Sequence, residues 1–250
     1  MAALMTADGG GAALSGLHAR VLERVGLAIC GGELAPGAVL YIDDLADTHA
    51  VSRSVVREVL RVLSSMGLVE SRRRVGTIIR AQEHWNVFDP QVIRWRLASD
   101  ARIGALRSIT ELRTAVEPQA ARLAAERATD DQASMLVALA ARMWAAGQQG
   151  DQDTFLALDI EFHHHVLSCS GNEMFLKLND LVAEVLTGRH HHGLMPHHPD
   201  EQALRLHADV AQGIQRRDGA MAQGAMVHIM EQALDEMGSI WEKATHTPGD

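Results

Sequence analysis

The sequence predicts a mainly α-helical chain built from two modules, and three observations lead there. Ala, Leu, Arg, Glu, Gln and Met fill most of the 250 residues, while the aromatics are only four Phe, four Trp and one Tyr, a mixture that favours helix. Apolar residues recur every third or fourth position along nearly the whole chain after residue 17. Charge is uneven: residues 1–80 hold nine Arg against eight acids, and residues 81–250 hold 14 basic against 24 acidic residues, within an overall net charge of −9. A near-neutral N-terminal piece joined to an acidic C-terminal piece implies two modules with different partners.

Composition narrows the class. A hydrophobic share of 47% and a charged share of 22% are those of a globular chain with a buried core. The negative net charge argues against a nucleic-acid-coating or basic membrane-surface protein. No apolar run reaches the ~18 residues of a membrane span, and no basic-then-apolar leader marks secretion. Cys30 and Cys169 cannot build a disulfide framework. A cytoplasmic protein is expected.

The N-terminal elements are justified in order. Residues 1–16 are Gly/Ala-rich and aperiodic, so a flexible leader is expected. Leu17, Val21, Val25 and Ile29 mark a helix that Gly31-Gly32 ends. Pro36-Gly37 is a turn, and Ala38–Tyr41 is extended. Asp43–His49 is a short helix, and Ser52 caps a further helix running to Met66. Leu68–Glu70 and Gly76–Ile79 flank Arg72-Arg73-Arg74 as a β-hairpin. This is the order of a winged helix-turn-helix, spanning residues 17–80.

On the Ser52-capped helix, Val56, Val59, Leu60 and Leu63 share the buried face, and Ser54, Arg57 and Arg61 share an exposed flank. Arg53 opens the helix. Arg and Ser at such positions read base edges in the major groove. Arg72, Arg73 and Arg74 on the wing suit phosphates. A merely solubilising surface helix is the bland alternative.

Residues 81–100 are a connector that includes a short helix with Trp95. Residues 101–244 show only helical periodicity, in segments near 102–127, 131–148, 152–169, 172–188, 200–217 and 219–242, so the second module is an all-helical bundle. In the third segment Asp159 and His163 are one turn apart and lie within the apolar face, where unpaired polar groups are costly. His164, His165 and Glu161 point the other way. His207 repeats the pattern on its own helix, and His228 is a weaker fourth. One carboxylate and three imidazoles suit Zn²⁺ or another borderline divalent ion such as Ni²⁺ or Mn²⁺. Satisfied core histidines are the alternative. The dense histidines at 190–192 and 197–198 fall in an expected solvated loop. Arg113 lies inside the apolar face of its helix, so its guanidinium must meet an anion, either a ligand carboxylate or an internal acid such as Glu117.

Two resemblances follow from these residues. Val51-Ser52-Arg53-Ser54-Val55-Val56-Arg57-Glu58-Val59-Leu60, then Leu63 and Gly67-Leu68-Val69, resembles the winged-helix domain of the GntR family of transcriptional regulators. That resemblance implies that Ser52, Arg53 and Arg57 contact operator DNA and that Gly76 is the wing-tip glycine. Tyr41-Ile42-Asp43-Asp44 departs from the Pro-Glu usual before the second helix. Glu111-Leu112-Arg113 with Glu117, Ala124–Thr129, Asp159 and His163 before Gly171-Asn172, His207 and His228 resemble the FCD ligand-binding domain of the FadR-type subfamily. This implies metal ligation by Asp159, His163, His207 and His228, and an effector contact at Arg113. The connector Trp85-Asn86, Asp89-Pro90, Val92, Trp95 looks most like regulators of sugar-acid catabolism, such as galactonate-operon repressors. The expectation is a homodimeric operator-binding repressor controlled by a small carboxylate, most simply a sugar acid, with no membrane partner. The rival reading is a metal-dependent hydrolase using the same Asp/His set.

Overall fold

The computed structural model describes residues 9–191 and 201–245, with side chains over 16–191 and 201–236. It divides into two compact units, 1–101 and 102–250. No helix among the described residues is long and apolar enough to cross a membrane.

The first unit contains α1 (Gly9–Cys30), β1 (Val39–Leu40), α2 (Ile42–His49), α3 (Arg53–Ser65), β2 (Val69–Arg72), β3 (Gly76–Ile79) and, after a single 3₁₀ turn, α4 (Pro90–Leu97). Half of the expected leader is helical, because α1 starts at Gly9 rather than Leu17. Ser52 caps α3, its hydroxyl accepting from the Val55 N–H at 3.4 Å. The sheet is antiparallel in the order β1-β3-β2, with Val39 opposite Ile78 and Arg72 opposite Gly76. Val21, Val25 and Ile29 of α1 meet Val56, Val59 and Leu63 of α3, with Leu68 and Ile79 of the hairpin closing the core. The connector also belongs to this core. Asp89 caps α4 with Pro90 in its first turn, and fully buried Trp95 packs against Gly26 of α1.

Among its described residues the second unit has helices only: α5 (Arg102–Arg127), α6 (Asp130–Gln149), α7 (Gln152–Cys169), α8 (Glu173–Leu176), α9 (Asn179–His191), α10 (Glu201–Gln215) and α11 (Gly219–Thr245). Thr129 and Gln132 form a capping box on α6, and Asp151 caps α7. The helix expected over 172–188 is two helices. Leu178 N–H closes a tight turn onto the Phe175 carbonyl at 3.0 Å and breaks the ladder, and no Gly or Pro marks the break. α10 and α11 touch so closely that a Cβ on Gly213 would come 2.6 Å from the Ala222 amide nitrogen. Only glycine permits that approach. His190 and His191 form the last turn of α9 instead of a loop; His192, His197 and His198 lie outside the described residues.

Candidate functional site

Two surfaces gather the residues that carry chemistry. On the first unit, Ser52, Arg53, Ser54, Arg57 and Arg61 are all exposed, and the opposite face of α3 is buried. The cap Ser52 also shares a hydrogen bond with Ser54, Oγ to Oγ at 2.8 Å. Arg53 pairs with Asp43 at 2.7 Å and Arg61 with Glu58 at 2.6 Å. Arg72 pairs with Glu70 at 2.5 Å. Arg73 and Arg74 are exposed at the hairpin tip, Arg74 in the left-handed region at φ 67°. Gly76 has φ 124°, and a Cβ there would meet Val39 Cγ1 at 2.9 Å, so the strand return needs glycine. Arg53, Arg57, Tyr41, Asp43 and Gly76 line one groove of about 340 Å³. Asp43, in the stretch that departs from the usual family pattern, thus takes up Arg53.

The second surface is a cavity of about 90 Å³ inside the helical unit, lined by residues of α5, α6, α7, α9, α10 and α11. Asp159, His163 and His207 meet there, all buried, with one ligand atom from each within 4.8 Å of the others. The Nε2 atoms of His163 and His207 lie 3.4 and 3.2 Å from Asp159 Oδ1. His207 Nδ1 faces the Ala203 carbonyl at 2.7 Å, which favours the tautomer with its proton on Nδ1 and a lone pair on Nε2. His163 Nδ1 lies 2.5 Å from Glu117 Oε2. Both rings thus turn Nδ1 toward an acceptor and Nε2 toward the carboxylate, as metal-ligating histidines do. Asp159 Oδ1 and His207 Nε2 have no properly formed hydrogen bond despite their burial, a cost that a shared cation removes. The donor set and the orphaned atoms therefore fit a divalent metal with an open position.

Charge is balanced tightly around this trio. Burial works against the Glu117 carboxylate, but Arg113 and His163 outweigh it and hold its pKa near 2. Burial likewise opposes the charge on Asp159, and the imidazoles of His163 and His207 beside it outweigh that, pulling its pKa down. His163 is pushed down by burial and up by Glu117 and Asp159, and rests near 9.

The structure separates the expected residues. His228 is not with the other three: it is exposed on α11 and pairs with Glu231 at 2.9 Å. The inward stripe of α11 is Ala222, Ala225, Met226, Ile229, Met230 and Ala233, so the next residue, Ile229, lines the cavity instead. Arg113 is buried as expected, but its anion is internal: Nε donates to Glu117 Oε1 at 2.5 Å. His164 is exposed and His165 half-buried, and neither joins the cluster.

Sequence reasoning missed Arg189, Glu236 and His190, which also line the cavity. Arg189 was findable: Leu181, Val185 and Arg189 continue one four-residue stripe, the same signal that marks Arg113. Glu236 gave none, because it lies near the chain's end among exposed acids.

Comparison with known proteins decides what these two surfaces belong to. Residues 17–79 match the model of the bacterial regulatory proteins of the gntR family, and residues 108–232 match that of the FCD domain. The chain belongs to the GntR family, in the branch that carries an FCD domain. GntR regulators bind operator DNA, and this chain is a DNA-binding transcriptional regulator rather than an enzyme. The galactonate operon transcriptional repressor of Escherichia coli is 28% identical, aligned over 88% of this chain and 96% of its own length. The regulator LutR of Bacillus subtilis is 27% identical over 86% of this chain and 98% of its own. The solved structure of Lar, which controls expression of the Listeria monocytogenes agr system, shares the fold with a TM-score of 0.55 at 15% identity, covering 89% of this chain and 97% of that one.

Proposed function

We propose that this GntR regulator is a repressor released from its operator by a small 2-hydroxy acid, most simply a sugar acid, bound at a metal in the FCD cavity. The observation that carries the reading is the buried Asp159–His163–His207 trio, which could hold an ion with an open coordination position facing the pocket. Asp159 and the two histidines would hold the ion, and Zn²⁺ suits two imidazoles and one carboxylate. The metal, when bound, supplies a Lewis-acidic centre for a carboxylate and its neighbouring hydroxyl. Glu117 orients His163, and the Ala203 carbonyl orients His207.

Charge supports an anionic ligand. Arg113 and Arg189 line the cavity with Asp151, Asp159 and Glu236, and Glu117 sits behind Arg113. With both imidazoles neutral as ligands must be, a divalent ion would add two positive charges beside the two guanidinium groups. The E. coli relative's galactonate operon supports a sugar acid as the first candidate. The DNA-reading residues are Ser52, Arg53, Ser54, Arg57 and Arg61 on α3, with Arg72, Arg73, Arg74 and Gly76 on the wing. Two copies form the operator-binding unit, and the acid shifts the balance between their arrangements.

A melting-point screen of aldonates and 2-hydroxy acids on Zn²⁺-loaded and chelated protein tests this, paired with a gel shift on the chain's own promoter. The expected result is an acid that raises the melting point only with metal and weakens operator binding. An acid response that survives chelation unchanged overturns the metal-centred reading.

A further inference from the structure

The cavity holds two buried guanidinium groups, and they are not equivalent. Arg113 spends both arms of its side-on fork on one carboxylate: Nε lies 2.5 Å from Glu117 Oε1, and Nη2 lies 3.4 Å from Oε2. Arg189 spends one arm. Its Nη2 donates to Glu236 Oε2, while its Nε–H is buried without a hydrogen-bond partner. Arg189 is only 5% exposed and lines the cavity. A buried N–H aimed at no acceptor is costly, and guanidinium favours two parallel bonds to one carboxylate.

The two acids differ as well. Glu117 is buried with a 2% exposed side chain, whereas the Glu236 side chain is 41% exposed. A carboxylate at the water's edge is rehydrated as it lets go of Arg189. Glu117 has no such refuge.

We propose that Arg189 is the anchor for the effector's carboxylate, and that Glu236 is a built-in competitor holding half of the fork until the acid arrives. This rests on reading the cavity as the effector site. The incoming carboxylate takes Nε–H and Nη2–H together, and Glu236 is pushed to the solvent-exposed rim of the cavity that it already lines. Arg113 stays with Glu117 and acts on the ligand through its field alone. The displaced Glu236 carboxylate then faces the rest of the ligand, so a second carboxylate on the acid is repelled. Monocarboxylates are therefore preferred over dicarboxylates. Burial disfavours the Arg189 cation and the nearby Arg113 adds to that, while Glu236 and Asp159 work the other way. The site gains from a better-placed anion.

The test compares wild type, Glu236→Gln, Glu236→Ala and Arg189→Lys, each Zn²⁺-loaded and checked for fold by circular dichroism. The probes are D-galactonate, L-lactate and succinate, followed by calorimetry and melting curves. Removing the competitor should tighten at least one monocarboxylate about tenfold and lower the melting point in its absence, with the acid restoring it. Arg189→Lys should weaken the same acid about tenfold or more without changing metal content. Glu236 variants that bind none of the probes more tightly than wild type, including none at all, overturn the proposal. If the acids bind Arg189→Lys at wild-type strength yet still require metal, this inference fails and the effector cavity stands. If the Glu236 variants gain binding that chelation leaves unchanged, Arg189 is the anchor and the metal-centred reading fails.

Discussion

Arginine does opposite work in the two units. On the DNA-reading unit, Arg53–Asp43 is a pair between side chains 68% and 61% exposed, and Arg61–Glu58 is similarly open. Such pairs are screened by salt and contribute little to stability. They are easily surrendered, and a phosphate or a guanine edge can replace the carboxylate. In the helical unit, Arg113–Glu117 has both side chains 2% exposed, and its breakage strands a charge in a low-dielectric core. The same residue type is a removable contact on one surface and a structural commitment on the other. Burial, and not the presence of an ion pair, decides which.

Six substitutions test that contrast. Arg113→Ala should have the largest effect, costing about 3–5 kcal/mol by leaving Glu117 buried beside only His163. Urea unfolding of the metal-free protein measures it, and a cost below about 1 kcal/mol would remove the distinction between the two units. His163→Ala should cut zinc affinity more than about hundredfold, a ligand mattering more than its supporting shell. His164→Ala and His228→Ala should keep full metal content by elemental analysis. Metal loss in the His228 variant would mean α11 turns when the ion binds. Arg57→Ala should cost about 1–3 kcal/mol of operator binding in a gel shift and leave the melting point unchanged. A shifted melting point would put Arg57 in the structural class with Arg113. Asp43→Asn should do least. Freeing Arg53 should raise operator affinity about fivefold at most, an effect that fades as salt rises. Weaker binding instead would show that Asp43 presents Arg53 to DNA.

The contrast also explains what was legible in the sequence. The winged unit read almost residue by residue, because its signals are local: a Ser52 cap, a run of buried Val and Leu at helical spacing, and Gly turns. The bundle's helices read well for the same reason. Asp159, His163 and His207 could be found because polar residues inside an apolar stripe are conspicuous. His228 misled, because its helix carries apolar residues on several sides and a one-residue rotation, 100°, decides between core and solvent. For Arg113 the residues alone left ligand and internal acid both open, the family resemblance pointed to the effector, and packing gives its fork to Glu117. Arg189 and Glu236 are 47 residues apart, and no local pattern joins such positions. The break between α8 and α9 also escaped, because it comes from a turn hydrogen bond without a breaker residue.

The glycine contact between α10 and α11 ties these long-range elements together. With Gly213 seated against the Ala222 backbone, the helix bearing His207 and the helix bearing Glu236 cannot slide independently at that point. Under the proposed reading, a pull on the imidazole at one end of the cavity and a release of the carboxylate at the other would act on a single lever. Metal and acid would then load the same pair of helices, and their affinities would be bound by reciprocity: whatever factor the ion adds to the acid's binding, the acid returns to the ion's. A regulator built that way would hear its effector only as loudly as the cell supplies metal, and would hold its metal hardest when the effector is abundant.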